Sequence, residues 1–231
     1  MNLVPADPAL GIVVPALNAA AGLPAALQSL REGAGIFDLD ILVVDGGSTD
    51  DTVAVAEANG ARVLASELGR GTQLAAGATA VSGDWLLFVH ADTVLAPGWA
   101  GELARFVADG HDRAAYFRFQ LDDEAPGARR IERLVDWRCR MLGLPYGDQG
   151  LALSRKLYTA FGGYQDIPLM EDVRLVRQLR RHRIVGLETA AVTSARRYRE
   201  GGYWRRPMRN LFCLLLYFLG LPPRAFRAFY G

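Results

Sequence analysis

A short apolar run leads directly into a carboxylate, two glycines and a hydroxyl in the segment Asp40-Ile41-Leu42-Val43-Val44-Asp45-Gly46-Gly47-Ser48. Consecutive aliphatic residues predict a strand that is buried on both faces, because a half-exposed strand would alternate apolar with polar positions. Ser48 and the residues after it supply helix caps and predict a helix that ends near Ala58. A buried strand, a glycine turn and a helix in this order are typical of an α/β fold.

The same alternation of strands and helices continues on both sides of this segment. We predict strands at residues 11–15, 40–44, 62–65 and 85–89, and helices at residues 23–31, 48–58 and 72–81. Continuous apolar strands joined by helices indicate a parallel sheet that is covered on both faces. The predicted fold class is therefore α/β, with a Rossmann-like, mostly parallel sheet flanked by helices.

The pattern is less regular from about residue 114. Residues 115–121 alternate like an antiparallel or edge strand, and residues 151–154 predict another strand. We predict helices at residues 131–142, at residues 156–161 and from Glu171 to Arg181. No internal repeat or low-complexity linker divides the chain, so we predict a single domain.

Composition and charge narrow the class of protein. The 231 residues are 51% hydrophobic and 22% charged, which excludes a disordered chain, a collagen and a disulfide scaffold. The net charge of +1 combines +11 in residues 174–231 with −10 in the rest. The basic segment has two interpretations, a solvated arginine face or a contact with anionic phosphates or lipid headgroups. We expect no nucleic acid partner, because the acidic remainder would repel a polyanion.

Targeting signals and cysteines favour the cytoplasm. Residues 1–7 have neither the basic nor the apolar region of an export signal, and the apolar run at residues 211–221 is too short to span a membrane. Cys139 and Cys213 lack metal-ligand spacing and fit buried thiols in a reducing compartment. The helical C-terminal tail has two open interpretations. It is either a core or homodimer helix, or an interfacial helix on an anionic membrane surface.

Polar residues follow three of the predicted strands. Asn18, the turn Asp45–Ser48 and the tripeptide His90–Asp92 each come directly after a strand. In a parallel α/β sheet, ligands bind beyond the carboxyl ends of the strands. We therefore expect these three groups to converge on one edge of the sheet.

Two of these groups point to nucleotide and metal binding. Asp45 can accept hydrogen bonds from a base or a ribose, and the bare backbone at Gly46 lets a ligand approach. His90 and Asp92 could share Mg²⁺ or Mn²⁺, although a helix cap and a core histidine would also explain them. No Walker loop and no Gly-x-Gly-x-x-Gly follows the first strand, which argues against a nucleoside triphosphatase and a dinucleotide dehydrogenase.

Two further acidic groups lie in the second half of the chain. Glu171 and Asp172 begin a predicted helix, where acids complement the helix dipole. Their apolar approach would also desolvate a carboxylate and suit it to act as a general base. Asp148 and Gln149 lie between two glycines, which predicts either a tight turn or a loop that binds a polar acceptor.

Taken together, these motifs resemble the family-2 inverting glycosyltransferases, which have the GT-A fold. The motifs are Val14–Asn18, Val43–Thr52, His90–Thr93 and Met170–Asp172, in this order, within a resemblance that covers residues 11–182. The finer pattern, with Gly69-Arg70-Gly71-x-Gln73 and Pro145–Gly150, is similar to a bacterial subgroup labelled arsenosugar-biosynthesis glycosyltransferase-like.

The resemblance implies a role for each motif. The donor, a nucleoside diphosphate sugar, would be bound by Pro15, Asn18, Asp45, Gly46, Arg70 and Ala91. Asp92, with His90 as a second ligand, would bind the divalent cation. Asp172, or its neighbour Glu171, would be the catalytic base, and Asp148 and Gln149 would line the acceptor side. The acceptor would be a hydroxyl group on a small molecule or on a lipid-linked molecule.

The resemblance also divides the chain into a nucleotide-binding half (1–110), an acceptor half (111–190) and the basic tail (191–231). The sequence departs from the family at two positions. Ala19 replaces a usual glutamate, and His90 replaces the first acid of the metal motif. These departures keep open a nucleotide-sugar-binding protein that has lost catalysis. A different nucleotide enzyme, such as a nucleotidyltransferase, is a further alternative. The expected location is the cytoplasm, either in solution or at the inner face of the membrane.

Overall fold

The computed structural model describes residues 8–109, 112–167, 169–203 and 205–221, and in them eight strands form one mixed sheet. The strands are β1 (Ala9–Ala16), β2 (Asp38–Asp45), β3 (Arg62–Ala65), β4 (Trp85–Phe88), β5 (Thr93–Leu95), β6 (Ala114–Leu121), β7 (Leu151–Ser154) and β8 (Ile184–Thr193). Their order across the sheet is β3-β2-β1-β4-β7-β6-β8-β5.

Helices flank this sheet. They are α1 (Leu23–Leu30), α2 (Thr52–Ala58), α3 (Arg70–Ala80), α4 (Trp99–Asp109), α5 (Pro126–Leu142), α6 (Arg155–Ala160), α7 (Glu171–Leu179), α8 (Arg196–Gly201) and α9 (Arg205–Phe218). The α/β class predicted from the sequence is confirmed, and the predicted helices of the first half lie within a few residues of α1, α2 and α3.

The strands β3, β2, β1 and β4 form the parallel half of the sheet. Ala16 at the end of β1 pairs with Asp45 at the end of β2, so these strands finish level with each other. Side chains on both faces are buried, which explains the continuous aliphatic runs in the sequence. This register brings the loops after β1, β2 and β4 to one edge.

The other half of the sheet mixes the two directions. β7 is antiparallel to both β4 and β6, whereas β6 is parallel to β8. Of the two alternatives predicted for residues 115–121, the antiparallel strand is confirmed by the pairing of β6 with β7. The edge strand is wrong, because β6 has a neighbour on each side and six of its eight residues are buried. Its alternating pattern reflects the partly solvated positions Arg118 and Gln120.

Two hydrophobic cores lie on opposite faces of the sheet. One contains Trp99 of α4 with residues of α1, and the other contains residues of α3, α7 and α9. Gly77 lets α3 pack closely on the sheet, since a Cβ there would lie 2.3 Å from Val13 Cγ1. Arg155 ties down the end of the same helix by donating to the carbonyls of Ala78 and Val81 at 2.6 and 2.7 Å.

The C-terminal segment is only partly helical. Residues 191–193 complete β8, so the predicted helical tail begins later, with α8 and α9. The predicted buried thiols are confirmed, since Cys139 and Cys213 are both free and buried. The expectation of no export signal concerns residues 1–7, which lie outside the described residues, as do Trp204 and residues 222–231.

Candidate active site

The loops that follow β1, β2 and β4 meet at one edge of the sheet. Asn18 has a left-handed backbone (φ 49°), and its N–H donates to Ser48 Oγ at 2.9 Å. Its side-chain oxygen accepts a hydrogen bond from the N–H of Thr49 at 2.9 Å. A Cβ at Gly22 would lie 3.4 Å from Asp92 Cα, so the loop after β4 is also close. The predicted convergence of the three groups is confirmed.

Asp45 organises the loop to which it belongs. Its carboxylate accepts hydrogen bonds from the N–H groups of Gly47 and Ser48 at 3.1 and 3.0 Å, and from the Ser48 hydroxyl. Gly46 donates its N–H to the carbonyl of Ala16 at 3.0 Å. Neither Asp45 nor Gly46 lines the cavities described below. A direct contact of Asp45 or Gly46 with a ligand therefore stays a prediction.

The start of α3 brings Arg70 to the acids of α7. Arg70 Nη1 lies 3.5 Å from Glu171 Oε1, whose side chain is almost fully buried. This approach needs Gly71, since a Cβ there would lie 2.2 Å from the Gln165 carbonyl oxygen. Met170, directly before the acids, has φ 67°, a left-handed conformation that is uncommon outside glycine. The segment before α7 is therefore held tightly against α3.

Asp172 faces the turn formed by residues 147–149. The N–H of Gly147 donates to Asp172 Oδ2 at 3.0 Å. Asp172 Oδ1 is buried and has no hydrogen-bond partner within the described part of the chain. A Cβ at Gly147 would lie 2.5 Å from His90 Nε2 and 2.7 Å from Asp172 Oδ2. Only a glycine therefore allows this turn to approach His90 and Asp172 together.

Two adjoining cavities form a cleft along this edge. We label them the donor cavity and the acceptor cavity after the roles that the family resemblance implies. The larger, the donor cavity, encloses ≈ 2530 Å³ including space open to solvent. Its walls include Pro15, Asn18, Gly69, Gln73, Ala91 and Asp166. The smaller, the acceptor cavity, encloses ≈ 850 Å³ and is lined by Tyr146, Gly147, Asp148, Met170, Asp172, Val173, Thr193, Tyr198 and Asn210. Four residues line both cavities, namely Arg70, His90, Asp92 and Ser194.

Burial changes the acidity of two carboxyl groups here. Burial raises the pKa of Asp148 to about 6, with Arg138 opposing the shift and Asp172 adding to it. Burial, reinforced by the charge of Asp172, raises the pKa of Glu171 to about 7, whereas Arg70 acts in the opposite direction. The cleft therefore keeps several carboxyl groups close together in a poorly solvated place, a pattern found at many functional sites.

The comparison with protein families is decisive at this point. A model of the family described as glycosyl transferase family 2 matches residues 11–164. The chain belongs to glycosyl transferase family 2. The resemblance noted in the sequence is thereby confirmed at the level of the family, and the arsenosugar-type subgroup remains a prediction.

Curated relatives of this family-2 chain are glycosyltransferases. A PGL/p-HBAD biosynthesis glycosyltransferase from Mycobacterium tuberculosis is 39% identical over 116 residues, which cover 45% of this chain and 42% of the relative. The glucosyl-3-phosphoglycerate synthase of the same organism is 35% identical over 95 residues, covering 37% of this chain and 29% of the relative. The chain thus spans less than half of the length of these relatives.

Solved structures share the fold of the family-2 chain. A crystal structure of glucosyl-3-phosphoglycerate synthase from M. tuberculosis, in complex with Mn²⁺, uridine diphosphate and glucosyl-3-phosphoglycerate, matches with a TM-score of 0.63 and 24% identity. The match covers 93% of this chain and 81% of that one. TarS 1-349 from S. aureus matches with a TM-score of 0.64 and 17% identity, covering 89% and 64%. The GT-A fold expected from the resemblance is confirmed.

The family resemblance assigns one role to Glu171 and Asp172 and another to Asp148 and Gln149, but in the structure only one residue of each pair lines the acceptor cavity. Asp172 lines the acceptor cavity, whereas Glu171 does not and instead contacts Arg70. Asp148 lines the cavity, but Gln149 is buried behind it. Gln149 Oε1 accepts a hydrogen bond from Arg138 at 3.1 Å, and its amide nitrogen donates to a carbonyl of β6. The prediction of Gln149 as an acceptor-binding residue is therefore wrong, because its amide holds the turn in place.

Several cavity residues had no assigned role in the sequence prediction. Gln73, which was noted only as part of a motif, lines the donor cavity. Its amide donates to the carbonyls of Ala16 and Val44 at 2.8 and 2.7 Å and so joins the ends of β1 and β2. The acceptor cavity also contains side chains from beyond the predicted acceptor half, namely Thr193, Ser194, Tyr198 and Asn210. The sequence predicts neither β8 nor its connection to α8, and no local sequence pattern identifies these four residues as part of a site.

The metal-ligating side chains in the cleft suit a cation whose remaining coordination positions are filled by a bound ligand. No group of three or more His, Cys, Asp or Glu side chains that could hold a metal ion occurs in the described residues. Asp92 nevertheless lies at the wall common to both cavities, with His90 beside it in sequence. Mg²⁺ and similar ions often bind through one or two carboxylates and complete their coordination with substrate phosphates and water. The residues present fit such an ion.

Among the described residues, we find no helix whose length and hydropathy together would let it cross a bilayer.

Proposed function

We propose that this chain is an inverting glycosyltransferase, which moves a sugar from a nucleoside diphosphate sugar to a hydroxyl group of an acceptor. One observation carries the proposal, namely that Asp172 lines the acceptor cavity next to the wall where Asp92 and Arg70 also line the donor cavity. A donor bound across that wall would present its diphosphate to Asp92 and its sugar to Asp172. Complexes of glucosyl-3-phosphoglycerate synthase with Mn²⁺ and uridine-diphosphate-glucose support UDP-glucose as the first donor to test.

The donor cavity would hold the nucleotide through the edge of the sheet. Pro15, Asn18 and Ala91 line this cavity, and the turn after β2 holds Asn18 in its left-handed conformation. Asp45 contributes indirectly by fixing that turn. Under this proposal residues 1–110 provide most of the donor site, with Asp166 and Ser194 completing its wall. The acceptor half extends beyond residue 190 to include the segment from Thr193 to Asn210.

Asp92, with His90 as a second ligand, would hold Mg²⁺ or Mn²⁺. Related structures that contain Mn²⁺ or Mg²⁺ with uridine diphosphate support the choice of ion. When bound, the ion supplies positive charge that stabilises the departing diphosphate. Arg70 lines the same wall and would add a guanidinium charge there. The carboxylate of Glu171 would keep that guanidinium in place.

Asp172 would act as the general base. Its Oδ2 accepts the hydrogen bond from Gly147, which leaves Oδ1 to receive a proton from the acceptor hydroxyl. The oxygen of that hydroxyl would attack the anomeric carbon as the bond to the diphosphate breaks. A single displacement of this kind inverts the anomeric configuration. Asp148, Tyr146 and Tyr198 would contact the acceptor, a small or a lipid-linked alcohol.

Purified protein incubated with UDP-glucose and Mn²⁺ tests the proposal. We expect slow donor hydrolysis without an acceptor, faster turnover with suitable alcohols, and UDP as the released nucleotide. In Asp172→Asn turnover should fall while UDP binding persists. Release of pyrophosphate would instead identify a nucleotidyltransferase. Donor binding without turnover, unchanged in the variant, would identify a protein that has lost catalysis.

The buried thiols of Cys139 and Cys213 support a location in a reducing compartment, and we propose the cytoplasm.

A further inference from the structure

Most of the exposed large hydrophobic side chains of the described chain belong to two helices and the residues that follow the second. Thirteen such residues are exposed, and eleven of them belong to α5 or to α9 and the three residues that follow it. They are Leu134, Trp137, Met141, Leu142, Met208, Leu211, Phe212, Leu215, Phe218, Leu219 and Leu221. Scattered single exposures are ordinary on a protein surface, but a concentration of this kind marks an interaction site.

The helix α9 has two different apolar faces. Cys213 and Leu214 are buried, and Leu214 joins the core that contains Val176 and Leu179 of α7. The opposite face exposes residues spaced by three or four positions, namely Met208, Leu211, Leu215 and Phe218, together with Phe212. The sequence has no charged residue between Asn210 and Leu221. The exposed face therefore has apolar groups where a helix in water would have polar ones.

The exposed face of α5 combines apolar and basic side chains. Leu134, Trp137 and Met141 follow each other at helical spacing and are all about half exposed. Arg133 and Arg140 are exposed beside them, and the Arg140 side chain is 70% exposed. Tryptophan and arginine on one helix face are typical of helices that lie in the headgroup region of a bilayer.

The end of α7 connects these two faces. Arg177 Cζ lies 4.8 Å from the centre of the Phe218 ring of α9. At the other side, a Cβ on Gly143, directly after α5, would lie 2.9 Å from Arg181 Cγ. Arg177, Arg180 and Arg181 are all exposed. We call the surface formed by the exposed side chains of α5, α9 and residues 177–181 the α5–α9 face.

We propose that the α5–α9 face docks on the surface of an anionic lipid bilayer. The apolar side chains would enter the boundary between headgroups and acyl chains, and the arginines around them would contact lipid phosphates. The net charge of +11 in residues 174–231 adds attraction at longer range. A second copy of the chain fits this face less well, because a symmetric contact would bring arginine-rich surfaces together.

Docking in this orientation would bring the acceptor cavity close to the bilayer. Asn210 lies on α9 and lines that cavity, only one residue before Leu211 of the exposed face. Hydroxyl groups carried by membrane lipids would then be within reach of Asp172. The docking surface itself does not depend on the proposed function, since it involves neither Asp92 nor Asp172.

Vesicle flotation with the full chain tests this inference. The probes are phosphatidylcholine vesicles with and without phosphatidylglycerol, at low and at high salt. The informative variant is Leu211→Glu/Leu215→Glu, which puts two charges on the exposed face of α9. The matched control is Ala54→Glu/Ala58→Glu, which adds the same charges at the same spacing on exposed positions of α2. Thermal unfolding and UDP binding verify that each variant is folded.

We expect the wild-type chain to float with anionic vesicles and to bind less at high salt. The α9 variant should bind about tenfold more weakly or worse, and the α2 control should bind like the wild type. Absence of wild-type binding, or equal binding by both variants, would overturn the inference. A wild-type dimer that becomes monomeric in the α9 variant, without any vesicle binding, would assign this face to a second copy instead. UDP binding by the α9 variant separates these outcomes from a failure of the proposed function.

Discussion

The backbone N–H of Gly147 donates a hydrogen bond to Asp172 Oδ2 at 3.0 Å, although 25 positions separate the two residues in the chain. The turn after α5 thereby fixes one oxygen of the carboxylate, and the other, Oδ1, is buried and has no hydrogen-bond partner in the described residues. A base held in this way needs little reorganisation before it accepts a proton. The geometry of Gly147 therefore bears directly on the rate of transfer.

Gly147→Ala should slow sugar transfer by about 100-fold, because an added methyl group would displace the turn, His90 or the Asp172 carboxylate. UDP binding in a chelator should change much less, since Gly147 does not line the donor cavity and His90 would then have no ion to hold. Single-turnover transfer and calorimetric titration with UDP measure the two effects. Gly101→Ala in α4 is the control, because a Cβ there meets no atom within 4 Å. Equal activity of the two variants would refute the positioning of Asp172 by this turn.

The adjacent acids of α7 should have separable effects on kinetics. Asp172→Asn should lower kcat by about 10²- to 10⁴-fold with little change in donor KM, as expected for loss of a general base. Glu171→Gln should act mainly on donor KM, because Glu171 contacts Arg70 and does not line the acceptor cavity. Steady-state kinetics with varied donor concentration distinguish the two patterns. A larger loss of kcat in Glu171→Gln would reverse the assignment.

Asp92→Asn should uncouple nucleotide binding from the divalent cation. With the wild-type chain, we expect Mn²⁺ to strengthen UDP binding by about tenfold or more compared with binding in a chelator. The variant should bind UDP with similar affinity in both conditions. Asp136→Asn, on the surface of α5, removes the same charge at a residue that lines neither cavity and should retain the metal effect. If Mn²⁺ strengthens UDP binding equally in both variants, Asp92 is not a ligand of the ion.

The parallel half of the fold could be predicted because its physical signals are local. β2 is buried toward its carboxyl end, so a short aliphatic run identifies it, and parallel pairing then places its carboxyl end beside that of β1. β8 could not be predicted in this way. It includes the polar residues Glu188 and Thr189, whose N–H groups donate to Glu102 of α4 at 2.7 and 2.9 Å. That stabilisation depends on a helix more than 80 positions away.

In the site, too, the features that depend on local sequence could be predicted, whereas those that depend on contacts between distant residues could not. The convergence of Asn18 and His90 follows from strand ends, which the sequence marks with a change from apolar to polar residues. The sequence does not predict that Asp148 lines the acceptor cavity while Gln149 is buried behind it. The two residues are neighbours in a turn, and their side chains point in different directions. The amide of Gln73 joins the ends of β1 and β2 by donating to one carbonyl on each strand. No spacing rule in the sequence identifies contacts of this kind.

Asp148 should make the stability of the folded chain depend on pH. Its pKa rises from 3.8 to about 6 on burial, so the folded state binds the proton more tightly than the unfolded state. Stability is therefore lost as pH rises through this interval. Asp148→Asn removes the effect. Relative to the wild type, the free energy of unfolding of the variant should increase by about 2 kcal/mol between roughly pH 4 and pH 7.

Urea unfolding of both proteins in metal-free buffer, at several pH values, measures this difference. Asp40→Asn is a control in which the free energy of unfolding should change with pH in the opposite direction. Burial opposes ionisation of Asp40, but hydrogen bonds from Ser82 and Arg62 outweigh it and lower the pKa. Loss of this carboxylate should therefore cost stability at neutral pH and little in strong acid. A difference between Asp148→Asn and the wild type that stays constant with pH would mean that Asp148 ionises as easily in the folded chain as in the unfolded chain, which would contradict its burial.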